Sequence, residues 1–140
     1  MSAGTWAFTD TGKTKLLNGT LDIGTASIKL ALFTSASNLG PTSDLFSNLT
    51  GEVSNTGYTG GGKVATLSLS GTATVKVDMA AVAPWTAGTT DLVAKWAVLY
   101  EAGGSILCYC TLDSGGANVT ATIGNTLTIT VDAAGIFTLV

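Results

Sequence analysis

The sequence predicts an all-β protein: a jelly-roll-like antiparallel β-sandwich of about seven or eight strands, with one short N-terminal helix. Three observations carry this. Thr occurs 24 times and Gly 18 times in 140 residues, and β-branched side chains with Gly are the composition of pleated strands and turns. Several segments alternate apolar and polar residues with period two. Gly, Pro, Asn and Asp punctuate those segments at the short intervals of sandwich folds. Hydrophobic residues make up 46% and charged residues only 11%, which excludes a disordered chain. The length fits one domain, residues 1–140.

Residues 1–9 hold Trp6 and Phe8 among small polar residues without periodicity, and are expected to form an N-terminal arm that docks through its aromatics. Asp10 to Leu17 is expected to be the helix, capped by Asp10 or Thr11 and stopped at Asn18-Gly19. Ser27 to Thr34 alternates, with Ile28, Leu30 and Leu32 on one face and Lys29, Ala31 and Phe33 on the other. Residues 35–50 form a polar connection containing Pro41, with a helical turn expected at Ser43-Asp44-Leu45-Phe46.

Gly51 to Lys63 is the densest glycine stretch, with Tyr58 as its one large side chain. The clearest hairpin follows: Lys63–Ser70 turns Ala65, Leu67 and Leu69 inward, Gly71 reverses the chain, and Thr72–Met79 turns Ala73, Val75, Val77 and Met79 inward. Pro84-Trp85-Thr86 opens another connection. Leu92 to Tyr100 is apolar except at Lys95, as in a strand covered on both faces, which makes Trp96 a core residue and leaves Trp85 open. Ser105–Leu112 should place Ile106, Cys108, Cys110 and Leu112 on one face; Thr126–Val131 and Ile136–Val140 complete the strands.

The inventory of chemistry is short. The chain has no His and no Arg, and its net charge is −3. Six scattered Lys (Lys13, Lys15, Lys29, Lys63, Lys76, Lys95) make no basic footprint for nucleic acid. Gly57–Lys63 fits the opening of a phosphate-binding loop, but Val64 stands where the metal-binding hydroxyl belongs and a strand follows where a helix should. The turn explanation is preferred, with Tyr58 pinning it. Cys108 and Cys110, two apart on a strand, point to one side, suit a disulfide poorly, and with no His cannot complete a zinc site. The carboxylates fall near turns, where Asp bonds its own backbone, and no calcium-type cluster occurs. No enzyme, cofactor, metal or small-molecule substrate is expected. No run spans a bilayer, and the first ten residues lack the pattern of a secretory leader, so synthesis in the cytoplasm is expected.

Across the chain, Lys15-Leu16-Leu17-Asn18-Gly19-Thr20-Leu21-Asp22, Ile28-Lys29-Leu30-Ala31-Leu32, Glu52-Val53, Gly57-Tyr58-Thr59-Gly60-Gly61, Trp85, Ala97-Val98-Leu99-Tyr100 and Ala134-Gly135-Ile136 follow one another in an order that resembles small virion structural proteins of tailed bacteriophages, the capsid cement or decoration proteins. The resemblance implies a jelly-roll sandwich on the outer surface of a phage capsid, with the major capsid protein as partner and no catalytic residues. For such a role the expected contact residues, chosen from the aromatic arm, the 35–50 connection, the glycine-rich stretch and the open tryptophan, are Trp6, Phe8, Leu45, Phe46, Tyr58 and Trp85. A self-paired dimer is expected because two-fold contacts are the commonest. The alternatives are a tail- or fibre-associated virion protein, or a carbohydrate-binding module using Trp85 and tyrosines.

Overall fold

A computed structural model describes residues 3–140. Among the described residues the chain is all-β and antiparallel, with one α-helix. In order, the elements are β1 (Ala7–Phe8), α1 (Asp10–Leu17), β2 (Ile28–Phe33), β3 (Lys63–Val64), β4 (Leu67–Ser70), β5 (Val75–Met79), β6 (Trp85–Thr86), β7 (Leu92–Ala94), β8 (Trp96–Glu101), β9 (Ile106–Thr111), β10 (Val119–Ala121), β11 (Thr126–Leu127) and β12 (Phe137–Leu139). One layer is a five-stranded sheet ordered β1-β9-β8-β2-β3. Facing it across the core are three short ladders, β12-β5-β4, β11-β6 and β10-β7.

The five-stranded sheet is buried on both faces at its centre. Leu30, Leu32, Ala97, Leu99, Cys108 and Cys110 enter the main core with Val77, Met79, Trp85, Leu92 and Leu127 from the opposite layer. Ala31, Phe33, Val98 and Tyr100 point the other way, under Leu39, Phe46 and Leu49 of the 35–50 connection. That connection is therefore a lid on the sheet. Its turn is a 3₁₀ turn at Phe46–Asn48 rather than at Ser43–Phe46, because Leu45 is held extended in a bridge to Ser105.

The helix has the expected bounds, but its cap is Thr9. The Thr9 hydroxyl accepts from Gly12 N–H (3.0 Å) and donates to Ile106 C=O (2.8 Å), so one buried side chain caps the helix and ties it to β9. Gly12 permits the approach, since a Cβ there would run into the Leu107 carbonyl. Residues 7–8 are not a free arm. They form an edge strand on β9, where Ala7 faces Tyr109, and Phe8 packs edge-on against Phe137 at 4.6 Å.

Among the described residues there are twelve strands, because two of the expected strands divide and β1, β6 and β10 form where no strand was expected. Lys63–Ser70 divides: β3 pairs with β2, while β4 pairs with β5 in another sheet. Leu92–Tyr100 divides at Lys95, so β7 joins β10 and β8 joins the large sheet. In both places the chain turns a corner between layers, which alternation along the sequence cannot register. Of the expected 126–131 strand, only Thr126–Leu127 pairs, with β6. The Ser105–Leu112 face is also broken. The register slips between Leu99 and Tyr100, so Ile106 joins the outer cluster while Cys108 and Cys110 join the main core.

Candidate functional site

The stretch from Gly51 to Lys63 is held by a compact set of side-chain bonds. Tyr58 is buried, and its hydroxyl accepts from Leu32 N–H (3.0 Å) while donating to the Glu52 carboxylate (2.8 Å). The same Glu52 oxygen accepts from Gly61 N–H at 2.6 Å, and the Tyr100 hydroxyl donates to Gly61 C=O at 2.7 Å. Asn55 ties the far side: its Oδ1 accepts from Gly57 and Gly88 N–H, and its Nδ2 donates to Thr90 C=O. Gly57 packs where a Cβ would meet the Thr86 carbonyl, and Gly61 and Gly62 have φ of 82° and 70°. Positive φ and close backbone approach both select Gly.

Lys63 is turned away from this loop. Its ammonium donates to Ala83 C=O (3.1 Å) and Pro84 C=O (2.8 Å) and lies 5.2 Å over the Trp85 ring. The stretch leads into a strand, as expected for a turn and contrary to a phosphate-binding loop. Tyr58 pins it to the sandwich.

Burial at Tyr58 pushes its hydroxyl pKa far above the ordinary tyrosine value, with the Glu52 charge acting in the same direction; the Leu32 N–H opposes it. A folded-state pKa above the unfolded one contributes stability that is complete below the unfolded pKa of about 10 and is lost as pH rises beyond it. Denaturation midpoints should therefore fall with increasing pH above about 10, and Tyr58→Phe should flatten that decline. An equally steep decline in the variant would reject Tyr58 as its source.

Of the six expected contact residues, the structure brings together only Tyr58 and Trp85, whose rings stack at 6.1 Å, and both are interior. Trp85 is 1% exposed. Neither can serve as a surface contact, and a sugar-binding face built on Trp85 is overturned because its ring is core. Trp6 and Phe8 are half-buried against the core. Phe46 stacks on Tyr100 at 3.8 Å and meets Phe33 edge-on, so it closes the lid, while Leu45 beside it is exposed. Trp96 exchanges places with Trp85. It is half-buried on the outer sheet face, edge-on to Tyr109, with the Lys95 ammonium 5.3 Å over its ring.

Glu52, Asn55 and Tyr100 hold the loop, a role the sequence analysis assigned to none of them. The available signal was Glu52 lying six residues before the loop's only aromatic.

Both cysteines are free and buried. Burial raises the Cys108 thiol well above its ordinary pKa and pushes Cys110 up to about 12. Thiolate is the reactive form, so a thiol reagent at neutral pH should label neither in the folded protein and both after unfolding. Rapid native labelling would show that β9 opens locally. Among the described residues, no group of three Cys, Asp or Glu is placed to hold a metal ion, and no helix is long and apolar enough to cross a membrane.

Comparison with protein-family models, with characterised proteins and with solved structures returned no match to this chain.

Proposed function

We propose that this chain is a virion structural protein that binds the outer surface of a phage capsid and stabilises the shell by bridging subunits of the major capsid protein. The ordered resemblance to capsid cement proteins suggests the role. The observation that carries it is the surface. Only 11% of residues are charged, and the faces left by the sandwich carry exposed apolar side chains at Leu17, Val64, Leu69, Ile123 and Leu139. A surface poor in charge and studded with apolar groups suits permanent coverage by other protein rather than free solution. Many such contacts, repeated over a shell, add up by avidity without any single tight one.

The role is mechanical and not catalytic. The protein is made in the host cytoplasm and resides on the capsid. Leu45 and the half-buried Trp6, Phe8 and Phe46 are the expected contact residues that still reach the surface. Shells lacking the protein should lose integrity on heating or osmotic shock and regain it when purified protein is added back. Shells that withstand both treatments unchanged would remove the proposal. Labelled protein should decorate the shell; signal confined to the tail would assign it to a tail or fibre instead.

A further inference from the structure

The β12-β5-β4 ladder overhangs the core. Leu69 lies on the inward face beside Val77 and Phe137, yet is 59% exposed, and Leu139 beside Val75 is 56% exposed. With Leu17 at 81%, across from them at the end of α1, they line an apolar groove of about 440 Å³. Ala73, expected inward, is also exposed. The hairpin is amphipathic as its sequence requires, but its tip has nothing beneath it.

The open edge beside that groove is β4. Ala80 N–H bonds Thr66 C=O at 2.9 Å. By antiparallel alternation Ser68 and Ser70 then spend their backbone groups on β5, and Leu67 and Leu69 turn theirs outward. Edge strands of soluble proteins are protected by Lys, Pro, bulges or a covering segment. From Val64 to Val75 there is no charged residue and no Pro.

We propose that β4 pairs with β4 of a second copy about a two-fold axis through Ser68. In that register Leu67 lies opposite Leu69 of the second copy, and Leu69 opposite its Leu67. The outward N–H and C=O groups of both leucines then pair reciprocally, and the two ladders become one six-stranded sheet. The four leucines share one face, so the two apolar grooves become continuous across the axis. A symmetric contact sets each side chain against its own kind, which penalises charge; this segment has none. The nearest charges, Lys76 and Asp78, pair with each other at 3.2 Å on the strand behind. The exposed parts of Leu17, Leu69, Val75 and Leu139 come to on the order of 400 Å², against about 800 Å² per partner in a stable interface. The uncharged hairpin edge supplies the rest. The pairing needs no shell and its test reads association alone, but it assigns Leu17, Leu69 and Leu139 to the second copy and leaves Val64 and Ile123 for contact with a capsid.

Sedimentation velocity of the full chain over a micromolar concentration series tests it. The wild type should shift from monomer to dimer, and Leu69→Lys should weaken association by roughly tenfold or more while keeping its native circular dichroism. Ser68→Cys supplies an independent reading, because the two Ser68 Cα atoms would lie about 4.5 Å apart across the axis, within disulfide reach. Mild oxidation should convert that variant to a covalent dimer that stays folded. A wild type that remains monomeric throughout, or a dimer unaffected by Leu69→Lys and not cross-linked at Ser68→Cys, would overturn the pairing.

Discussion

Trp85→Ala is expected to destabilise the protein by about 3–5 kcal/mol, the range for truncating a buried aromatic, and to lower Tm by roughly 10–15 °C for a domain of this size. The ring is the largest fully buried side chain, stacked against Tyr58 and covered by the Lys63 ammonium. Its indole N–H has no partner among the described residues, so the loss is one of packing and cavity formation rather than of a hydrogen bond. Removing it also withdraws the surface against which Tyr58 holds the glycine-rich loop. Trp96→Ala should cost far less, because half-exposed sites relax and refill with solvent. Thermal melts of the two variants side by side check the pair. Equal losses would mean that burial does not rank the two tryptophans.

Gly62→Ala is the second large effect, expected at about 3 kcal/mol or more. Two terms combine. The residue has φ of 70°, which costs an L side chain about 1–2 kcal/mol, and a Cβ would collide with the Leu30 carbonyl and crowd Ala31 Cα. Neighbouring glycines separate the terms. Gly19, with φ of 76° and open space around it, should show only the conformational cost. Gly60 lacks both positive φ and neighbours within 4 Å, so Gly60→Ala should be neutral or stabilising by a few tenths of a kcal/mol. Urea denaturation of the three variants gives the ordering; a Gly62 variant no worse than the Gly19 variant would refute the collision.

Much of the fold was legible because its causes are local. Asp10–Leu17 is helical in a chain otherwise rich in β-formers, and Asn18-Gly19 ends it. The residues that alternate in β2 do enter two opposite cores. The β4–β5 hairpin lies where Gly71 places it. What failed was whatever depended on a distant partner. Thr9 caps the helix because β9 passes close enough to accept its hydroxyl. Trp85 is buried and Trp96 is half-open because of which sheet each strand joins, and their own neighbours in the chain argue the reverse. Leu69 has the period of a core residue and the exposure of a surface one, since period specifies a face but not what covers it.

The candidate site divides in the same way. Val64 and the following strand were enough to reject phosphate binding at Gly57–Lys63, because that chemistry needs a local sequence and a local geometry. The clamp that replaces it joins Glu52, Tyr58 and Gly61 to Leu32 and Tyr100, with bonded partners up to 39 residues apart in the chain. By itself, the sequence determined an all-β chain poor in charge, without His or Arg, and with one short helix and a glycine-rich turn. Only the tertiary structure decided which aromatics are interior, where each strand leaves one sheet for another, and which apolar row stays uncovered. Period and composition follow from neighbours along the chain, whereas burial is settled by residues that folding brings from far away.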